Sequence, residues 1–99
     1  MFQWLSMAKP TRLEMLIEST LEEDEIIDQH FAYLQELTKK GVVILVGRTL
    51  NTDETSFGLT IFEAEDGLAA RQIMENDPAV KSGLMTATLY PYRVALSRK

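Results

Sequence analysis

Two residues in this chain are suited by type and setting to acid–base chemistry: its only histidine, His30, and an aspartate directly before a proline, Asp77-Pro78. His30 stands at helical spacing from Ile26, Ile27, Phe31, Leu34 and Leu37, so its imidazole points along an apolar stripe, where it needs a hydrogen-bond partner. A carboxylate accepting from one ring nitrogen fixes the tautomer and leaves the other nitrogen as a general base. It also stabilises the imidazolium that forms once a proton is taken. Asp77 is the candidate carboxylate, placed where Pro78 must stop a preceding helical segment. Arg48 is a candidate holder of an anionic substrate or a developing oxyanion, and Tyr33 and Tyr90 are candidate substrate-binding residues. Each residue also fits a structural role. His30 suits a core position with a single backbone partner, and Asp77 suits a helix cap ahead of a first-turn proline. Arg48 suits an exposed strand end, and the tyrosines suit packing with their hydroxyls wet.

Other chemistries find no support. Cysteine is absent, which removes disulfides, thiolate nucleophiles and Cys-ligated metals, and is compatible with a reducing, cytoplasmic setting. One histidine makes a protein-only transition-metal site improbable, and Glu22-Glu23-Asp24-Glu25 lacks the spaced oxygens and turn glycine of a calcium loop. Glycine-rich nucleotide loops, zinc-protease helices and serine-hydrolase elbows are missing, so no cofactor and no metal are expected. A haem enzyme would need His30 as its axial ligand. Fifteen acidic against ten basic side chains give a formal charge of −5 with no basic patch, which disfavours nucleic acid as a partner. No stretch approaches the ~20 apolar residues of a membrane span, so no membrane partner is expected.

The elements that must position His30 and Asp77 can be read in order. Residues 1–10 read as a loose extension, and residues 11–99 as one domain. Residues 12–17 alternate charged and apolar side chains, as a first strand does. Thr20 and Glu23 have capping-box spacing ahead of a helix that runs to Lys39-Lys40 and ends at Gly41. Residues 42–46 are a β-branched run and read as the best-buried strand, closing near Gly47-Arg48. A polar loop leads to a third strand over residues 57–64. Glu65-Asp66-Gly67 opens a second helix, and residues 84–90 form a fourth strand that Pro91 bends or places at an edge. This β-α-β-β-α-β order predicts an α+β, ferredoxin-like fold, a four-stranded antiparallel sheet with both helices on one face. The apolar residues exceed what two helices cover. A second copy of the chain packed on the bare face, and hence a homodimer, is expected.

The run His30-Phe31-Ala32-Tyr33-Leu34-Gln35-Glu36-Leu37, then Gly41, Gly47, and Asp77-Pro78-Ala79-Val80 before Gly83-Leu84, resembles the YciI-related (YCII) family over residues 13–94. The resemblance implies a dimeric α+β barrel of two facing ferredoxin-like sheets, with His30 and Asp77 at the family's active-site His and Asp positions. The wider superfamily includes isomerases of muconolactone type and small monooxygenases. This chain departs from the family at Arg48, where a proline often follows the glycine, and in its first residues. Two functions fit. One is a cofactor-independent lyase or isomerase using the His–Asp pair on a small, anionic or aromatic metabolite. The other is a non-catalytic ligand-binding or dimeric accessory module.

Overall fold

Local capping chemistry sets the helix boundaries in the computed structural model, which describes residues 1–98. Helix α1 spans Leu21–Lys39. The Thr20 hydroxyl accepts from the Glu23 amide and the Glu23 carboxylate accepts from the Thr20 amide, the reciprocal box anticipated from their spacing. At its other end Gly41 adopts φ +80°, and the amides of Gly41 and Val42 return to the carbonyls of Thr38 and Leu37, closing the helix as a Schellman turn. Helix α2 spans Gly67–Glu75 and is capped by Asp66, whose carboxylate accepts from the Ala69 amide. A short third helix, α3 (Pro78–Lys81), starts with proline and is capped by Asp77.

Four strands, β1 (Phe2–Pro10), β2 (Val43–Arg48), β3 (Gly58–Ala64) and β4 (Met85–Tyr92), form one antiparallel sheet in the order β2-β3-β1-β4. This is the α+β, ferredoxin-like arrangement. The core lies between the sheet and the helices, where Phe62, 1% exposed, packs with Leu34, Val43, Ala64 and Ala70. Among the described residues, no helix is long and apolar enough to cross a membrane.

The sequence reading misplaced the first strand. Residues 1–10 are not a loose extension: Phe2–Pro10 is β1, a central strand paired with β3 on one side and β4 on the other. Residues 13–16, read as that strand, form a single 3-10 turn. The reason is physical. A central strand carries apolar side chains on both faces, so Trp4, Leu5 and Met7 follow no period-two pattern, whereas the short alternation at Arg12, Leu13 and Glu14 mimics one. Strand β2 is not the best-buried strand that its β-branched run suggests. It is an edge strand, and in the single chain only Val43 within it is buried, while Ile44, Leu45 and Val46 are exposed. Phe31, placed by its spacing in the apolar stripe, is likewise exposed.

Strand register assigns the side chains to the two faces of the sheet. Trp4, Ser6, Thr60, Phe62 and Leu89 point to the helices, and alternation sends Leu5, Met7, Leu59, Ile61, Leu45 and Tyr90 to the other face. Leu45, Ile61, Leu5 and Tyr90 form one cross-strand row there.

Candidate active site

The backbone brings together two side chains separated by 47 residues: His30 Nδ1 lies 2.7 Å from Asp77 Oδ1 and 2.8 Å from Asp77 Oδ2. Helix α1 carries the ring, and the turn between α2 and α3 carries the acid. Asp77 is held in place because it caps α3, its Oδ1 accepting from the Ala79 amide at 2.9 Å, while Pro78 occupies the first helical position. Its cap role and its bond to the ring coexist on one carboxylate. Since a carboxylate only accepts, Nδ1 carries the hydrogen, and in the neutral ring Nε2 is the nitrogen with the lone pair.

That second nitrogen touches solvent. Nε2 has no hydrogen-bond partner among the described residues, yet no fully buried side-chain nitrogen or oxygen there lacks one. The pair is nonetheless well sheltered, with side chains 21% and 11% exposed for His30 and Asp77. A partly desolvated pair with one open ring nitrogen has the geometry of a general base and its orienting acid.

The remaining candidate residues make no hydrogen bond to this pair. Tyr33, one turn along α1 from His30, donates its hydroxyl to the Ile73 carbonyl at 2.7 Å, joining α1 to α2. Burial pushes its phenol up from the ordinary value, and the negative charge of Asp77 adds to the shift. Arg48 is exposed at the end of β2 and makes no ion pair or side-chain hydrogen bond among the described residues. Tyr90 pairs with Leu5 on the helix-free face of the sheet, opposite the side on which His30 packs. The structure therefore brings neither Arg48 nor Tyr90 to the His–Asp pair.

Beneath Asp77 lies a cavity of about 20 Å³ lined by Ser6, Leu34, Thr60, Phe62, Ile73, Met74 and Asp77. Ser6 and Thr60 are cross-strand partners in β1 and β3, and both line this floor. Sequence reasoning passed over both, Ser6 because it lay in the supposed extension and Thr60 because a threonine in a strand is ordinary. A single polar residue inside the apolar stretch Trp4-Leu5-Ser6-Met7 was the available signal. A wider concavity of about 670 Å³, lined in part by Phe2, Trp4, Asp66, Tyr92 and Arg93, includes neither His30 nor Asp77. No cluster of three metal-ligating side chains occurs among the described residues.

With the fold and the pair in view, comparison with known proteins places the chain. The model of the YCII-related domain matches residues 3–91. The chain belongs to the YCII-related family. No curated protein matches it. Among solved structures, this YCII-related chain is similar to 5-chloro-2-hydroxyhydroquinone dehydrochlorinase (TftG) from Burkholderia phenoliruptrix AC1100, in complex with 2,5-dihydroxybenzoquinone. The likeness has a TM-score of 0.65 and 25% identity, covering 91% of this chain and 93% of the other. The family match begins at residue 3 and so takes in β1, in agreement with the central place of that strand.

Proposed function

We propose that this YCII-related protein is a small lyase or isomerase in which His30 is the general base and Asp77 its orienting acid, acting on a small oxygenated aromatic or enolic metabolite. The observation that carries this reading is the 2.7 Å contact between His30 Nδ1 and Asp77, with Nε2 open to solvent. In the proposed step Nε2 removes a proton from a phenol, an enol or a carbon beside a carbonyl. The electron pair left behind closes a carbonyl or shifts a double bond. The imidazolium then returns the proton to a ring carbon, which completes an isomerase cycle; in the lyase branch that carbon bears the leaving group, and removal of a second hydroxyl proton closes a second carbonyl as the group departs with its bonding electrons, for a net loss of HX. Asp77 faces the positive charge that His30 holds between the two proton transfers. The similarity to a dehydrochlorinase favours the lyase branch, with halogenated hydroxyhydroquinones as the first substrates to try.

A homodimer is part of the proposal. In a single chain Leu45 is 53% and Tyr90 45% exposed on the helix-free face, and a second sheet packed there would cover them. Arg48 is proposed to hold the anionic group of a substrate, and Tyr90 to act only if the partner sheet folds it inward.

The test is turnover of a panel of chlorinated and unchlorinated hydroxyhydroquinones, followed by chloride release and quinone absorbance. Activity is expected to require a neutral His30 and to fall by about 100-fold or more in folded His30→Ala. Full activity in that variant would refute the role of the ring. A second reading, a non-catalytic ligand-binding module, draws on the structural work Asp77 already does as the cap of α3. Under it, folded His30→Ala and Asp77→Asn would still bind a small phenol with no turnover by any form of the protein.

A further inference from the structure

The polar floor under the pair is unexplained by fold stability alone. Ser6 is 9% exposed, sits in a central strand with its side chain toward the helices, and lines the cavity together with Thr60 and Asp77. Neither hydroxyl has a side-chain hydrogen bond among the described residues, while no fully enclosed polar side-chain atom there goes unpaired. Both hydroxyls therefore border space that a water-sized probe can reach. The cavity of about 20 Å³ has room for one water. The other lining side chains, Leu34, Phe62, Ile73 and Met74, are apolar, so the polar side chains available there are Ser6, Thr60 and Asp77.

Asp77 has acceptor capacity to spare. Its carboxylate offers about four lone-pair sites. Its Oδ1 meets the Ala79 amide and His30 Nδ1, and its Oδ2 meets only Nδ1. We infer that one water bound among Ser6, Thr60 and Asp77 makes the two hydroxyls positioning residues for the carboxylate. The water donates to Asp77 and to one hydroxyl and accepts from the other, which satisfies three polar partners in a site otherwise walled by carbon. The carboxylate is then held from three sides, by the α3 backbone, by the imidazole and from the sheet. Its plane is set against Nδ1 by groups on two rigid strands instead of by the four-residue α3 alone. The inference deepens the proposed role of the His–Asp pair and rests on it for its catalytic meaning, but its test does not use turnover.

That test combines crystallography with NMR on Ser6→Ala, Thr60→Val, the double variant and Thr60→Ser. In the unaltered protein, density for a water is expected within about 3.2 Å of Ser6 Oγ, Thr60 Oγ1 and an Asp77 oxygen. It should be lost in the double variant. His30 is the only histidine, so its ring nitrogens give one unambiguous pair of ¹⁵N resonances. The Nδ1 resonance is expected to shift in Thr60→Val and in the double variant and to stay in place in Thr60→Ser, which keeps the hydroxyl. Absence of the water, or a water whose removal leaves both the Asp77 rotamer and the Nδ1 resonance unchanged, overturns the inference. A substrate hydroxyl displacing that water would also overturn it, because the floor would then be a ligand subsite. If the double variant does not fold, Thr60→Val against Thr60→Ser reads the same contrast.

Discussion

A single carboxylate caps one helix and orients a ring on another, so substitutions at Asp77 separate structure from chemistry. Asp77→Ala removes the cap, worth about 1 kcal/mol, and also the charge-assisted bond to His30. A loss of about 1–4 kcal/mol is expected in urea unfolding, less than additive because both bonds share one group. Asp77→Asn keeps an acceptor for the Ala79 amide and is expected to lose less stability than Asp77→Ala, while activity falls as far, since an amide cannot balance the imidazolium charge. Equal stability losses in the two variants would show that the cap contributes little. Tyr33→Phe is expected to cost about 1 kcal/mol through the lost bond to the Ile73 carbonyl. It should leave turnover near normal, because that hydroxyl is committed to the backbone. His30 and Asp77 were both visible as residue types in the sequence, whereas Ser6 and Thr60 were not, because a hydroxyl on a strand has meaning only once the opposing strand and the cavity are known.

At the level of elements, the link between the 3-10 turn and α1 carries the pH dependence that can be assigned. The hydrogen bonds from Arg12 and the Thr20 amide hold the Glu23 carboxyl down to about 2, from an ordinary 4.5. Its folded value lies below its unfolded value, so the unfolded chain binds more protons between them. The stabilisation is full above pH 4.5 and is lost as pH falls toward about 2. Glu23→Gln keeps a capping-box acceptor but not the ion pair. Its stability deficit is therefore expected to be constant near neutral pH and to vanish toward pH 2, as read by urea unfolding across that range. Strand β1 makes a stronger prediction. Deleting residues 1–10 removes the strand that joins β4 to β3 and splits the sheet, so loss of cooperative unfolding is expected by circular dichroism. A loose extension could be removed without consequence. Helix ends were readable at this scale because caps are local chemistry between residues a few positions apart, as at Thr20 and Glu23 or at Gly41. Strand β1 was not, because its pattern is set by what covers each face.

For the whole molecule, the proposed dimer is tested on the helix-free face. Leu45 and Tyr90 are exposed in one chain, so charged replacements there leave the single-chain core intact. Leu45→Glu with Tyr90→Glu is expected to shift the sedimenting species from about twice 11.2 kDa to 11.2 kDa, with the far-ultraviolet spectrum unchanged. A dimer that survives both charges would place the interface elsewhere. The rim location of β2 makes sense on the same ground. Its β-branched run suits burial, yet in one chain it lies at an edge, and the partner sheet is what would cover Leu45 beside Ile61 and Leu5.

By itself the sequence determined the class of fold, the caps, and the two residues with acid–base potential, because side-chain type, periodicity and short-range spacing act within a few residues of one another. Tertiary structure decided which segment is the central strand, that Nδ1 and a distant carboxylate meet, that Arg48 and Tyr90 lie away from them, and that two hydroxyls lie beneath the acid. Those facts depend on strand register and on contacts across 40 to 60 positions of chain, from Tyr33 to Ile73 and from Trp4 to Ala64. No local pattern encodes such separations. They are settled only when the sheet and helices close on a common core.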